Sequence, residues 1–219
     1  MLTAIAVLLL LQATPVPTTG PFVTLDRIAA VVGDEVVLES EVRRLTAIGL
    51  LKRRPGEGDA DYRDRVLYDR VDEVLLEQQL RRTAGLEPDP REVEARVAEL
   101  AERVARERGE TFEALLARSG VTREELTGWI RRGLSLDTWV RERLSPTVKV
   151  SEEEVRAYYE GAFRDESRRR GLAELAPLVE VQDELRALVR ERKLNAEIDR
   201  FLAELRTKTR ILVYRRSPA

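Results

Sequence analysis

The side chains in this chain that could do chemistry are few, because its 219 residues include no Cys and no His. Thiol nucleophiles, Ser-His triads, imidazole general bases and the usual zinc sites are thereby excluded. The clusters that stand out among the remaining side chains are carboxylates. Acidic residues stand side by side at Glu124-Glu125 and at Glu152 to Glu154, where acid–base work would be sought first. They follow Thr122 and Ser151, however, at capping-box spacing, and helix-end electrostatics accounts for them. Asp59, Asp61 and Asp64 loosely resemble a calcium loop but lack the EF-hand spacing and its closing bidentate Glu. No catalytic residue, cofactor site or metal site is assigned, and the chain reads as a non-enzyme.

Binding is the chemistry left. Trp129 and Trp139 lie partly off the main apolar stripe of a long predicted helix, and Leu136 sits between them. Tyr158 and Tyr159 are adjacent, so one of them must turn away from the local core; Phe163 follows. These six residues are the candidates for contact with a bound peptide, set against the fact that Trp is mostly buried on average.

Helices must position them. Charged residues make up 36% of the chain and aromatics 5%, an all-α composition with little strand. A helical stripe runs through Val66, Leu67, Val71, Val74, Leu75 and Leu80 towards Ala84-Gly85. Asp89-Pro90-Arg91-Glu92 has a capping Asp, Pro at the first helical position and Glu at the capping-box position. A narrow seam of Val93, Val97, Leu100 and Val104 follows. Thr111 opens a short helix with Phe112, Leu115 and Leu116 inward; Thr122 opens a long one through Leu126, Ile130, Leu134, Val140 and Leu144. Gly128 and Gly133 inside that helix each cost about 1 kcal/mol against Ala, and close packing or a bend is the expected reason. Ser151 caps a helix carrying Val155, Tyr158 and Tyr159 that is expected to end near Gly161. A last long helix, from about Leu175 or Pro177 to Arg206, has Val181, Leu185, Leu188, Ile198, Leu202 and Leu205 on one face. Arg192 and Asn195 interrupt this face, so its two halves are expected to meet different partners.

Only two places read as strand. Ile28 to Val32, the turn Gly33-Asp34, and Val36-Val37-Leu38 form a hairpin pattern, with Ser40 as the expected N-cap of the next helix. A lone hairpin is marginal in water. The other strand is Arg210 to Tyr214, so the two ends of the folded chain are expected to meet. The fold class is mainly α, with a small β-hairpin completed by a C-terminal strand.

The net charge of −2 gives no global field towards nucleic acid or anionic lipid, and the arginines of 164–170 are diluted by acids and read as a solvated linker. Leu2 to Leu11 is apolar but short for a membrane span, and the Pro/Thr-rich segment 14–20 follows it. Residues 1–20 are therefore expected to be an export signal that sends the protein to the periplasm, with an uncleaved membrane tether facing the periplasm as the alternative.

The hairpin sequence resembles the N-terminal signature of the SurA-like periplasmic chaperones, a group that includes the foldases PpiD and PrsA. The matching residues are Ala29 to Val32, Gly33-Asp34, Val36 to Leu38 and Ser40-Glu41. Val181, Leu188, Glu191, Arg192, Phe201 and Leu202 fit the family's closing helix. The resemblance implies a helical chaperone module over 21–161 and a closing helix and strand over 174–219 that complete the same domain. Between them stands a short linker, 162–173, where the family usually carries parvulin-type isomerase domains. The implied function is that of an ATP-independent holdase, without isomerase catalysis, whose partners are unfolded envelope or outer-membrane polypeptides. The alternative is an adaptor that forms a homodimer by swapping its C-terminal helix and strand, with 163–171 as hinge; a peptidyl-prolyl isomerase ranks last.

Overall fold

The computed structural model describes residues 26–82, 87–169 and 175–214. The expected export signal, 1–20, and residues 170–173 of the expected linker lie outside them. The described chain is mainly helical, with one small antiparallel sheet.

The sheet forms as the residue pattern requires. Strands β1 (Ile28–Val32) and β2 (Glu35–Leu38) are joined by a two-residue turn in which Gly33 takes φ +62°, a conformation that costs glycine little. Strand β3 (Ile211–Val213) pairs antiparallel with β1, giving the order β2-β1-β3. The Gly33 amide donates to the Arg210 carbonyl and the Tyr214 amide to the Ala29 carbonyl, both at 2.9 Å. The two ends therefore close on each other. Between Ile28 and Ala30 the register with β2 slips by a residue. This bulge puts neighbouring Ala29 and Ala30 both inside and turns Ile28 outward.

Helix α1 (Glu39–Ile48) begins differently from its sequence pattern. Leu38, not Ser40, occupies the N-cap position and supplies no side-chain cap. Asp26 does that work from upstream: its carboxylate accepts the Ser40 amide at 3.2 Å and the Ser40 hydroxyl. The strand-to-helix junction is too tight for a separate capping turn, so Ser40 falls inside the first turn. Helix α1 ends at Gly49, whose left-handed backbone lets its amide reach the Leu45 carbonyl at 3.0 Å.

Helix α2 (Asp59–Leu80) lies against the inner face of the sheet. Ala29, Ala30, Val32 and Val37 pack with Val66, Val71 and Val74, and with Leu205 from the far end of the chain. Helices α3 (Pro90–Arg108), α4 (Phe112–Ser119) and α5 (Arg123–Leu144) enclose a second cluster around Ile48 and Leu115. The capping boxes at Thr122–Glu125 and Ser151–Glu154 both form; Asp89 caps α3 through the Arg91 amide at 2.9 Å.

Helix α6 (Glu152–Tyr158) does not stop near Gly161. A π-helical turn, Tyr159–Phe163, carries the chain into α7 (Arg164–Arg169). The wider turn stacks Tyr159 on Phe163, with ring centroids 5.7 Å apart. The segment expected to be a solvated linker from 162 is thus helical as far as Arg169. Helix α8 (Leu178–Lys208) follows Pro177, which holds the N-cap position without a side-chain cap, and does meet different partners along its length. Its first half lies on α6, where Gln182 donates to Glu152 at 2.8 Å and Lys193 to Glu154 at 2.5 Å. Its second half packs through Leu194 on α5 and through Leu205 on the sheet cluster. On its expected face Leu188 is 42% exposed, and Val189 takes the buried place; Val189 stands one helical turn beyond buried Leu185.

Candidate peptide-binding clefts

The six sequence candidates part into three groups. Trp139 and Leu136 are buried, at 5% exposure each, which corrects their reading as available surface. Helix α8, distant in sequence, covers the second half of α5. It encloses Trp139 with Phe201, ring centroids 6.1 Å apart, beneath the Arg143 guanidinium at 5.6 Å. Trp139 thus joins α5 to α8.

Trp129 is half-buried and stands in an open cleft of about 780 Å³. One wall is α5, with Trp129, Ile130 and Leu134; the opposite wall is α3, through Leu100 and Arg103; Leu50 and Leu51 after α1 and Asp69 and Glu73 on α2 complete it. Gly133 faces this space. A Cβ built there meets no heavy atom within 4 Å, so neither close helix packing nor a clash explains the glycine. The cleft alternates apolar surface with charges of both signs, which suits an extended polypeptide with mixed side chains.

Glu73 is the titratable group most altered by this setting. It accepts from Arg70 at 3.3 Å, and 43% of its side chain is exposed. The surrounding protein displaces water from its carboxylate, and Asp69 and Glu77 add repulsion. Its carboxyl is pushed up to about 7 against the pull of Arg70. Burial also raises Asp69, with Asp72 adding to it. Glu41 and Glu77 bond Arg70 at 2.7 and 2.8 Å, so Arg70 has other partners.

Tyr158 and Phe163 belong to a second cleft, about 470 Å³, between the α6–α7 segment and α8, with Leu185 and exposed Leu188 on its far side. Arg192 lies over the Tyr158 ring, 4.5 Å from its centroid. Tyr159 is committed elsewhere: its hydroxyl donates to the Ala176 carbonyl at 2.8 Å.

The structure thus brings Tyr158 and Phe163 together, seats Trp129 in another cleft, and removes Trp139 and Leu136 to the interior. Pattern reasoning missed Leu50, Leu134, Arg103 and Glu73, which meet only when four elements converge and carry no local signal. Among the described residues, no group of three or more His, Cys, Asp or Glu is placed to hold a metal ion, and no helix is long and apolar enough to cross a membrane. No protein-family model matches the chain, and no curated protein matches its sequence.

Proposed function

We propose that this protein is an ATP-independent periplasmic holdase of the SurA-like kind, which binds extended segments of unfolded envelope or outer-membrane polypeptides without isomerase catalysis. The observation that carries the reading is the cleft around Trp129. A large aromatic side chain is left half-open beside Leu50, Leu134 and Leu100, in a concavity wide enough for client side chains. The helical body closed by a hairpin and a C-terminal strand agrees with the family resemblance in order and in pairing. Burial of client side chains would drive binding, and ordering a disordered client would keep affinity modest. Low affinity allows release without nucleotide hydrolysis.

The test is an aggregation assay with urea-unfolded outer-membrane protein diluted into buffer containing the full chain. Protection at near-stoichiometric ratio, weakened by Trp129→Ala in a variant that melts like the wild type, is the expected result. Failure of the wild type to protect any unfolded client would end the reading.

A further inference from the structure

A third concavity, about 650 Å³, adjoins the Trp129 cleft and shares Leu51, Leu100 and Arg103 with it. Its lining is strongly cationic: Lys52, Arg53, Arg103, Arg108 and Arg118 face only two carboxylates, Asp59 and Glu107. Within a chain of net charge −2 this is a local excess of positive charge. Some of it is neutralised nearby. Arg53 pairs with Asp59 at 2.7 Å, and Arg118 holds Glu110 at 2.9 Å.

Arg103 holds no carboxylate in an ion pair, although the second concavity that it also lines carries Asp69, Glu73, Glu99, Glu102 and Asp137. Other half-buried arginines have a carboxylate: Arg44 holds Glu125, Arg63 holds Glu39, Arg65 holds Glu57 and Arg70 holds Glu41. Arg103, equally half-buried, forms no ion pair with any described residue. Its one bond, to the Gly49 carbonyl at 3.4 Å, is long for a hydrogen bond. A guanidinium offers five N–H donors in a fixed fork, so most of its capacity is open at the junction of the two concavities. Arg108 is close to the same condition: it reaches Glu110 only at 3.8 Å and the Ala47 carbonyl at 3.4 Å.

We infer that Arg103 is a carboxylate anchor: the joined clefts take a polypeptide segment that carries a carboxylate beside apolar residues, the acid on Arg103 and the apolar side chains towards Trp129. The carboxylate comes either from an internal Asp or Glu or from a chain terminus, and both present the planar pair of oxygens that the fork fits. The inference rests on the client-binding reading of the same cleft and adds the selection rule. The other role open to Arg103 is to cap the end of α1 through Gly49, and that role is indifferent to the charge of a bound peptide.

The test measures fluorescence anisotropy of an extended, dansyl-labelled peptide containing two Phe, in four forms. These carry an internal Glu with an amidated end, an internal Gln with an amidated end, an internal Gln with a free carboxylate, and an internal Lys with an amidated end. The wild-type chain is expected to bind one of the two acidic forms about five- to tenfold more tightly than the amidated Gln form, the Lys form most weakly, with the preference shrinking in 0.5 M salt. In Arg103→Gln the ratio of acidic to Gln affinity falls to about one, and Arg103→Lys restores part of it. Because the readout is a ratio within one protein, a loss of folded material does not mimic it. Equal binding of all four forms by the wild type overturns the anchor and leaves the cleft. Retention of the full ratio in Arg103→Gln also overturns it. Binding of none of the four by the wild type overturns the client reading and the anchor together.

Discussion

Gly133 separates stability from binding, and its replacement tests both. It lies in the interior of a helix of 22 residues, exposed, with open space where a Cβ would stand. Replacing an exposed helical Gly by Ala contributes about 1 kcal/mol, because the unfolded chain loses freedom and the helix loses nothing. For a chain of this size that raises Tm by about 2–4 °C. Leu has nearly the helix propensity of Ala, so Gly133→Leu retains most of the gain. Its side chain, however, enters the cleft beside Trp129, where a client side chain would sit. Burial of one such apolar group contributes about 1.5–3 kcal/mol, so its exclusion weakens client affinity by about ten- to a hundredfold. Thermal melts followed by circular dichroism and anisotropy titration of a Phe-containing peptide measure the two effects. Both variants are expected to melt higher than the wild type, and only the Leu variant to lose binding strongly. A lower Tm for Gly133→Ala would refute the open placement of this residue. Undiminished peptide affinity in Gly133→Leu would refute the cleft as the binding site.

The two tryptophans are expected to behave oppositely. Trp139→Ala removes a buried ring packed on Phe201 and costs about 3–5 kcal/mol in urea unfolding, whereas Trp129→Ala changes stability by much less. Iodide quenching of the wild type should accordingly act mainly on Trp129. Glu73, with its folded-state carboxyl pushed up to about 7 against an ordinary value near 4.5, binds more protons in the folded chain than in the unfolded one over that interval. Its contribution is therefore full below pH ~4.5 and is lost as pH rises through ~7. Glu73→Gln should remove that loss, so the difference in Tm between pH 5 and pH 8 becomes smaller than in the wild type. Ending the chain after Thr209 deletes β3 and frees the Gly33 amide from the Arg210 carbonyl; hydrogen exchange at Gly33 should accelerate by orders of magnitude and Tm should fall. Unchanged protection at Gly33 would mean that the sheet is completed in another way.

Local structure was legible wherever it depends on neighbours in sequence. The caps at Thr111, Thr122 and Ser151, the Gly33-Asp34 turn and the seam of Val93, Val97, Leu100 and Val104 each need only a few consecutive residues, and each forms as its pattern requires. The closure of the sheet was legible for a different reason. A marginal hairpin needs a partner, and the chain offers one other segment of strand type. Ser40 and Gly161 were misleading because their local preferences were outvoted, the first by a carboxylate arriving from Asp26 and the second by the stacking of Tyr159 on Phe163.

By itself, then, the order of residues determined the periodicities, the helix ends and the lack of imidazole and thiol chemistry, since composition and nearest neighbours control all three. Only the tertiary structure decided which apolar side chains stay open. Trp129 and Trp139 stand on one helix with the same side chain, and α8 covers one and leaves the other beside a cleft. The isolation of Arg103 was decided in the same way. A guanidinium forms an ion pair only with a carboxylate brought within reach, and the fold sets the Gly49 carbonyl, at the end of α1, beside Arg103 instead.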